Sequence, residues 1–301
     1  MDSEEPRRGD DNPREVKMRE GTAMTDRPRL KAPAGATDTH MHFYDTSARY
    51  PVAPTAAFLP PPGRVADYRK VQARLGLERV VVVQPSAYGT DNRCTMDAVA
   101  ELGDSARAVV VVDRAVSDAE LERLTAAGAR GIRFHMLRGG VLPWDILEAM
   151  AARVHPFGWH VQLQCNGREL PEREATLRGL PGALVIDHVG RFMDPVPLDH
   201  PAFAGLLRLL ETGRTWVKLS APYESSRSGP PAYEDVSALA KALVRAAPER
   251  MLWASNWPHP GHRDPRVRDE ALLLDLLIEW APEEATRRRI LVDNPAALYG
   301  F

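Results

Sequence analysis

The sequence lacks the features of several large classes of protein, beginning with cysteine. Only Cys94 and Cys165 occur among 301 residues, and no CxxC or Cys/His spacing accompanies them. This excludes a disulfide-stabilised scaffold and a zinc finger. No apolar run reaches the roughly 18–20 residues that a membrane-spanning helix needs, so no membrane partner is expected. The first twenty residues also lack a hydrophobic signal region, and we expect a cytoplasmic protein.

An excess of charge of one sign is missing as well. Lys and Arg number 39 and Asp and Glu number 41, which gives a formal net charge of −2. Proteins that bind nucleic acid or anionic membranes usually carry a clustered basic excess, so neither partner is expected. The sequence does contain 44% hydrophobic and 27% charged residues, which is enough to build a full hydrophobic core.

The chain divides into a charged N-terminal part and a regular remainder. Residues 1–30 are dense in charges of both signs and have almost no apolar periodicity, which predicts a disordered tail. An arm that wraps a neighbouring subunit is the alternative. Residues 31–301 predict one folded domain. Trp159, Trp216 and Trp280 fit either the core or an interface, so a homo-oligomer stays open.

From residue 36 onward, short apolar runs alternate with segments of helical periodicity. Eight runs predict strands, at residues 37–43, 79–85, 108–112, 131–136, 160–165, 184–189, 215–220 and 251–256. Helical periodicity is clear at residues 116–127, 144–154 and 237–247. One βα unit for roughly every 25–35 residues predicts a single-domain α/β protein, a (β/α)8 TIM barrel. The alternative is a doubly wound open sheet, but no glycine-rich phosphate-binding motif follows any strand.

Polar residues cluster where the predicted strands end, which is where barrel enzymes place their catalytic side chains. His40 and His42, two residues apart on strand one, face the same side of the sheet. Strand six ends with His188, and Arg191 follows it. Strand eight ends with Asn256, whose neutral amide holds a ligand or a water molecule but cannot act as a general base.

Substrate-binding residues are expected in the loops after the other strands. Strand four carries Arg133, followed by Arg138, and the fork of an arginine suits a carboxylate or a lactone oxygen. The remaining candidates near strand ends are Ser86, Tyr88, Gln164, Arg191, Tyr223, Arg227 and His259. His160 begins strand five instead of ending it, so it is expected to be structural.

Four motifs together carry a family resemblance. They are DTHMH on strand one, IDHVGR on strand six, NWPHP on strand eight and the closing DNPAALYGF. The chain resembles the amidohydrolase superfamily, and more narrowly its lactone-processing branch, which contains 2-pyrone-4,6-dicarboxylate lactonase and D-galactarolactone isomerase. The resemblance spans residues 36–301. It implies the barrel fold and a small-molecule lactone as the binding partner.

The metal ligands of this superfamily are incomplete in the chain. In its metal-dependent members, the HxH pair joins a lysine or histidine on strand five, a histidine on strand six and an aspartate on strand eight. Here strand five offers Gln162 and Gln164 and strand eight offers Asn256, and carboxamides are poor ligands for zinc. The resemblance therefore implies no required cofactor, as in the pyrone lactonase. The three histidines leave a weakly bound divalent metal such as zinc open.

Asn256 also changes the expected reaction. In the pyrone lactonase the aspartate at this place is thought to activate water, and loss of a general base typically costs ~10²–10⁴-fold in rate. An oriented internal hydroxyl reaches effective molarities of ~10⁵–10⁸ M instead. We therefore expect isomerisation of a sugar-diacid lactone, of the galactaro-1,5-lactone to 1,4-lactone type, by intramolecular transesterification. The alternatives are a lactone hydrolase of the pyrone-dicarboxylate lactonase type, with or without a weakly bound divalent metal, and a catalytically inactive barrel retained for binding or assembly.

The expected roles follow from this chemistry. His42 and His188 polarise the lactone carbonyl, and Arg133 holds the free carboxylate. His40 moves the proton between the attacking and leaving oxygens, and Asn256 hydrogen-bonds a substrate hydroxyl.

Two loop positions also bear on the substrate. The pyrone lactonase places arginines there for a second carboxylate, whereas this chain has Gly139 and Glu224, with Arg138 and Arg227 nearby. The pyrone dicarboxylate is therefore a poor candidate substrate. The isomerase is similar in the asparagine before WPH and in the tract YESSR at residues 223–227.

Overall fold

The computed structural model describes residues 27–45, 47–262, 264 and 266–301. Eight parallel strands follow chain order in one sheet. They are β1 Thr37–Met41, β2 Arg79–Val83, β3 Ala106–Val110, β4 Ala129–His135, β5 His160–Gln164, β6 Leu184–Ile186, β7 Thr215–Leu219 and β8 Met251–Trp253.

Helices connect the strands and cover the outside of the sheet. They are α1 Val65–Leu75, α2 Arg93–Leu102, α3 Asp118–Ala126, α4 Leu147–Val154, α5 Leu170–Gly179, α6 Pro201–Leu210, α7 Glu234–Ala246, α8 Glu270–Trp280, α9 Glu284–Arg288 and α10 Asn294–Tyr299. A π-helical turn at Arg289–Asp293 joins α9 to α10. In the part of the chain that the structure describes, no helix has the length and apolar character needed to cross a membrane.

The first and last strands meet and close the sheet at its carboxyl end. The backbone N–H of Asn256 donates to the carbonyl of His40 at 2.9 Å, and that of His42 donates to the carbonyl of Trp257 at 2.8 Å. The hydroxyl of Thr39 donates to the carbonyl of Trp253 at 2.9 Å. The predicted (β/α)8 barrel is thus confirmed, and its closure places Asn256 beside the two histidines of β1.

The alternation of side chains along a strand separates two hydrophobic layers. On β2, Val80 and Val82 face the helices, whereas Val81 and Val83 face the barrel interior with Tyr299. Below the polar mouth, this interior layer fills the amino end of the barrel. The polar side chains at the carboxyl end therefore pack on an apolar layer that includes Val81, Val83 and Tyr299, called the apolar floor below, and this layer keeps them in place.

His160 belongs to this floor. Its ring packs edge-on against Tyr299, with the ring centroids 5.3 Å apart. A Cβ at Gly131 would lie 2.6 Å from the His160 ring, so only glycine leaves room for the imidazole there. Burial lowers the pKa of His160 to about 3, so the ring is neutral. This placement agrees with the structural role expected for His160.

Several strands end earlier than the apolar runs predict. β6 ends at Ile186 instead of residue 189, because His188 and Val189 have φ values of 54° and 55° and form a 3-10 turn. β8 ends at Trp253, and Asn256 has a φ of 59°. β3 begins two residues before its predicted start, because Ala106 pairs with Val80. Left-handed backbone at non-glycine residues is costly and concentrates at functional sites.

The predicted N-terminal tail falls largely outside the described residues, which begin at residue 27. Leu30 is buried, and its backbone N–H donates to the Asp275 carboxylate at 2.9 Å. Arg29 pairs with the same carboxylate. The segment before β1 is thus attached to α8.

Candidate active site

A cavity of about 190 Å³ opens at the carboxyl end of the barrel. Its lining residues are His42, Tyr44, Phe58, Pro85, Ser86, Arg133, His135, Arg138, Gln164, His188, Arg191, Glu224, Asn256 and Pro260. Eight of the predicted site residues are among them, namely His42, Ser86, Arg133, Arg138, Gln164, His188, Arg191 and Asn256. A larger groove of about 910 Å³ on the outer surface, beside α9, contains none of them.

The two histidines of the first strand form a contact pair at the bottom of the cavity. His42 lines the cavity, and His40 lies behind it, fully buried. Their Nε2 atoms are 3.2 Å apart, and Nδ1 of His42 lies 2.8 Å from the carbonyl oxygen of Val83. Burial lowers the pKa of His42 to about 3, with a further contribution from Arg133. Burial, and then the charge of Lys218, holds the pKa of His40 well below its usual value. Both rings are therefore neutral at pH 7.

These contacts restrict where the protons lie. A carbonyl oxygen only accepts, so His42 carries its proton on Nδ1 and its Nε2 is an acceptor. His40 must then donate through Nε2, because two unprotonated nitrogens 3.2 Å apart would repel. His42 thus has no N–H free to polarise a substrate carbonyl.

His188 lies beside this pair, on the turn after β6. Its Nδ1 is 2.8 Å from the Ser220 hydroxyl at the end of β7, and its ring centroid is 4.9 Å from that of His40. Burial holds its pKa well below the usual value, so the ring is neutral. When Ser220 donates to Nδ1, the proton of His188 is on Nε2, where it can serve as a hydrogen-bond donor.

Behind the histidines, three polar side chains of neighbouring strands share one network. The Lys218 ammonium donates to the Thr39 carbonyl at 2.8 Å and to Oε1 of Gln162 at 2.7 Å. The amide nitrogen of Gln162 lies 3.1 Å from Asp187 and 3.3 Å from Nδ1 of His40. The side chains of Lys218 and Asp187 are completely buried. Burial lowers the pKa of Lys218 to about 8, which leaves it mainly protonated at pH 7.

Arg133 supplies a rigid positive charge on another side of the cavity. Its Nη1 donates to the Gln84 carbonyl and its Nη2 to Oε1 of Gln164, both at 2.9 Å. Its Nε is buried and has no hydrogen-bond partner among the described residues. His135 contacts the same Gln164 oxygen at 3.1 Å, and burial lowers the pKa of His135 to about 4. The guanidinium is therefore held in one orientation next to neutral groups.

Across the cavity lies a carboxylate that is already paired. Glu224, in the 3-10 turn after β7, forms an ion pair with Arg191 and also contacts Nε2 of His262 at 3.2 Å. Burial alone would raise its pKa, but the His262 hydrogen bond and the charge of Arg191 hold it at about 2. Glu224 is therefore a permanent anion and a weak base.

Asn256 is attached to a second polar chain. Its Nδ2 lies 3.0 Å from the Tyr223 oxygen, which lies 2.8 Å from Nδ1 of His259. Nε2 of His259 lies 2.9 Å from the Glu270 carboxylate at the start of α8. Tyr223 and His259, predicted to bind substrate, are thus placed behind Asn256 and do not line the cavity.

Two further predicted residues are placed away from the cavity. The Tyr88 hydroxyl is held by backbone groups of Asp45, donating to the carbonyl at 2.9 Å and accepting from the N–H at 3.0 Å. Arg227 is exposed and pairs with Asp194. The tract of residues 223–227 is shaped by Asp235, whose carboxylate accepts hydrogen bonds from Ser226 and from the Arg227 backbone.

Sequence reasoning did not identify Lys218 or Asp187 as parts of the site, and it named Glu224 only as the residue at a loop position where the pyrone lactonase has an arginine. A signal for Lys218 was present, because a strand of a (β/α)8 barrel is covered on both faces, so the lysine in TWVKL of β7 is expected to be buried and to need a partner. The pairing of Glu224 depends on the loop that carries His262, more than thirty residues away, and no local pattern reveals such a contact.

One group of side chains has the composition of a metal site. His40, Asp187 and His188 each place a ligand atom within 4.8 Å of the others. The group does not fit a divalent cation as it stands, because the Lys218 ammonium already lies 3.4 Å from Nδ1 of His40 and 3.6 Å from Asp187. A second cation among these atoms would be repelled by the first.

The sequence of the chain is similar to those of known proteins over nearly its whole length. The sequence model of the Amidohydrolase family matches residues 37–301. The chain is 39% identical over 288 residues to the D-galactarolactone isomerase of Agrobacterium fabrum, covering 94% of this chain and 96% of that protein. It is 37% identical over 287 residues to the 2-pyrone-4,6-dicarboxylate hydrolase of Comamonas testosteroni, covering 92% and 94%.

A solved structure shows the same fold. The apo crystal structure of a protein from Agrobacterium tumefaciens is 39% identical and has a TM-score of 0.84, covering 91% of this chain and 98% of that one. The resemblance indicated by the four sequence motifs is confirmed. The chain belongs to the amidohydrolase family.

Proposed function

We propose that this protein is an enzyme that isomerises a sugar-diacid lactone, of the galactaro-1,5-lactone to 1,4-lactone type, by intramolecular transesterification. The observation that carries the proposal is the amide of Asn256 at the end of β8, at a cavity where no carboxylate of the described residues is free to act as a base. The match to the D-galactarolactone isomerase over nearly the whole chain supports the same reaction.

The two carboxylates near the histidines are poor bases for different reasons. Glu224 faces the cavity, but its pKa of about 2 makes it a weak proton acceptor at neutral pH. Asp187 is completely buried and in contact with Gln162 and Lys218. A water molecule in the cavity would therefore lack the activation that hydrolysis requires, which typically contributes ~10²–10⁴-fold.

A hydroxyl of the substrate itself does not depend on this general-base activation. A hydroxyl of the substrate attacks its own lactone carbonyl, a tetrahedral centre forms, and the original ring oxygen leaves and takes up a proton. The net change is one C–O bond formed, one C–O bond broken and one proton moved between two oxygens, without water. Holding both groups in one cavity supplies the effective molarity, ~10⁵–10⁸ M for well-oriented cases.

The contacts of the site suggest a role for each group. We assign the histidine pair to relay the proton: the substrate hydroxyl takes the place of His40 as the donor to Nε2 of His42, which passes the proton to the leaving oxygen. With a pKa of about 3, His42 is a weak base, so the rate depends on the effective molarity of the internal hydroxyl and not on base strength. His188 donates through Nε2 to the carbonyl oxygen as negative charge develops there. Asn256 orients a substrate hydroxyl. Arg133, with Arg138 in the following loop, binds the free carboxylate.

The distribution of charge favours a substrate with a single free carboxylate. Arg133 and Arg138 provide positive charge near β4, whereas the Glu224 anion lines the cavity after β7. A second anionic group on the substrate would meet this carboxylate, while a sugar hydroxyl could donate to it. A monolactone of a sugar diacid has one free carboxylate and several hydroxyls, and its compact shape suits a cavity of about 190 Å³.

The test is to incubate galactaro-1,5-lactone with the enzyme in ¹⁸O-labelled water and follow the products by NMR and mass spectrometry. We expect the 1,4-lactone to form without label. Label that appears in free diacid at the rate of substrate loss would show a hydrolase instead. No turnover and no binding of any sugar-acid lactone in a thermal-shift screen would indicate a barrel that has lost catalysis.

A lactone hydrolase is the second candidate. It is favoured by the match to the 2-pyrone-4,6-dicarboxylate hydrolase. Under this reading a histidine activates water. A weakly bound divalent metal is disfavoured by the Lys218 ammonium beside His40 and Asp187, so chelators should leave the activity unchanged. Either reaction implies the breakdown of carbohydrate or related acids, and the cytoplasmic location stays a prediction.

A further inference from the structure

The buried lysine of β7 has no role in the reaction proposed above. Lys218 is completely enclosed and contacts Thr39, Gln162, His40 and Asp187. Burying an ammonium is costly unless its protons are satisfied and its charge is balanced. Two carbonyl oxygens accept two of its protons at 2.8 and 2.7 Å, and the third faces Nδ1 of His40 and Oδ1 of Asp187.

The positions of these last two atoms explain why a cation is needed. Nδ1 of His40 and Oδ1 of Asp187 are 3.3 Å apart. Because His40 carries its proton on Nε2, both atoms are acceptors and repel each other. Lys218 and the Gln162 amide each reach both His40 and Asp187, so they hold the two acceptors together.

The other tautomer of His40 would give a different site. With the proton on Nδ1, His40 would donate to Asp187, and Nε2 would turn a free lone pair toward Nε2 of His42, 3.2 Å away. Two unprotonated imidazole nitrogens this close are stable only when a cation binds both of them. The same side chains thus allow two arrangements. In one, His40 is protonated on Nε2 and donates to His42; in the other, His40 is protonated on Nδ1 and the two Nε2 atoms can bind a metal ion.

We propose that the Lys218 ammonium takes the place of a divalent metal ion in this barrel. It fixes His40 in the tautomer that donates to His42, and in this tautomer the histidine pair cannot bind a metal ion. Lys218 is a positioning residue, since it acts through His40 and does not line the cavity. The proposal concerns the histidine pair itself and holds whichever lactone the enzyme uses.

The test is a gain of metal binding in Lys218→Met, which keeps the length of the side chain and removes its charge. After incubation with zinc and dialysis, we expect the wild-type protein to retain little metal and the variant to retain about one equivalent, the stoichiometry of a single site. Cobalt in place of zinc should give the variant a visible absorption band, and zinc should raise its melting temperature. Equal metal content in both proteins would overturn the proposal.

Two further variants distinguish the loss of the Lys218 charge from damage to the core as the cause of metal uptake. Lys218→Arg keeps the positive charge and should retain as little metal as the wild type. Asp275→Asn removes a buried charge on α8, far from the barrel interior, and should also gain no metal. Zinc uptake by either variant at the level of Lys218→Met would show that loosening of the core, and not loss of the ammonium, admits the ion.

A measurement on the unmodified protein covers the case in which Lys218→Met does not fold. Long-range ¹H–¹⁵N NMR spectra of the imidazoles assign the tautomer of each histidine. We expect His40 to be protonated at Nε2 and His42 at Nδ1. Protonation of His40 at Nδ1 would refute the proposal whatever the enzyme's activity, whereas hydrolysis in place of isomerisation would refute only the proposed function.

Discussion

The side-chain nitrogen of Asn256 donates to the phenol oxygen of Tyr223 at 3.0 Å, and this contact decides which atom of the amide is left for the cavity. A carboxylate only accepts, so His259 carries its proton on the nitrogen that faces Glu270. The other nitrogen of His259 therefore accepts from the Tyr223 hydroxyl, and the Tyr223 oxygen accepts from Asn256. The chain of donors runs in one direction and leaves Oδ1 of Asn256 as the acceptor for a substrate hydroxyl.

The first prediction concerns the hydroxyl that holds this amide. Tyr223→Phe leaves the nitrogen of Asn256 without its acceptor, so the amide can rotate and present a donor to the substrate. Losing a buried hydrogen bond costs ~1–3 kcal/mol, and about 1.4 kcal/mol on the barrier is tenfold in rate. We expect kcat to fall about tenfold with a smaller change in KM. Steady-state kinetics on the lactone measures both.

A matched control distinguishes positioning from general destabilisation. Tyr50→Phe removes a hydroxyl that donates to Asp97 at 2.7 Å on the outer surface. It should lower the melting temperature without changing kcat. Similar losses of kcat in Tyr50→Phe and Tyr223→Phe would contradict the role assigned to Tyr223.

The second prediction introduces a carboxylate after β8, in place of the Asn256 amide. In Asn256→Asp the new carboxylate can take a proton from water. The rate of hydrolysis should therefore rise by ~10²-fold or more, the usual contribution of a general base. The measurement is the rate of ¹⁸O incorporation into free diacid. Asn256→Leu, which has a similar size but no acceptor, should be poor in both reactions. An Asn256→Asp enzyme that still releases only unlabelled 1,4-lactone would count against the proposed reason for isomerisation.

The sequence was sufficient to predict the barrel and most of its mouth. Alternation of apolar strands with helical segments is a local signal, and in a parallel barrel every strand brings its carboxyl end to the same face. His42, His188 and Asn256, far apart in sequence, could therefore be expected at one cavity before any contact was known.

Contacts between loops could not be predicted in the same way. Tyr223 and His259 were expected to touch substrate because they follow strands, but the turns that carry them point their polar atoms at Asn256 instead. The backbone at His188 and at Asn256 has positive φ, and the residue type at these positions does not predict this conformation. The partners of Glu224 likewise depend on packing between two separate loops.

The third prediction tests the group that binds the free carboxylate of the substrate. Arg133→Lys keeps the charge but loses the planar fork held by Gln84 and Gln164. Losing one charge-assisted hydrogen bond costs ~1.5–3 kcal/mol, so we expect kcat/KM to fall about 10–100-fold. A sugar lactone without a carboxylate is the control substrate. Its kcat/KM should be nearly the same for both enzymes, and an equal loss would show damage to the cavity as a whole.

The fourth prediction concerns the anion that lines the cavity. Glu224→Gln removes a negative charge and frees Arg191, so a lactone with two carboxylates should bind about tenfold more tightly, a gain of about 1.4 kcal/mol. Isothermal titration calorimetry with 2-pyrone-4,6-dicarboxylate measures this. Glu174→Gln removes a carboxylate that pairs with Arg208 on the outer helices and should leave the affinity unchanged. Weaker binding of the dicarboxylate to Glu224→Gln would show that Glu224 does not exclude a second anion.

The last prediction follows from the buried neutral histidines of the barrel. The pKa values of five histidines lie below the ordinary 6.5: His42 and His160 at about 3, His135 at about 4, and His40 and His188 well below 6.5. Between pH 6.5 and these lower values the unfolded chain binds more protons than the folded one, so the free energy of unfolding falls as the pH falls. Each such histidine contributes up to about 1.4 kcal/mol per pH unit in that range.

The carboxylates whose pKa is lowered act in a lower pH range and can be separated from this effect. Glu224 and Asp235, with pKa values of about 2, lose their stabilising contribution only below the ordinary carboxyl range, near pH 4. Urea unfolding at pH 7.5, 6.0 and 5.5 therefore reports mainly on the histidines. His160→Gln, in the apolar floor, should reduce the slope between pH 6.0 and 5.5 by about one proton. Because the histidines must charge on unfolding in acid, a free energy of unfolding that is constant or increases from pH 7.5 to 5.5 would mean that they are already protonated in the folded barrel.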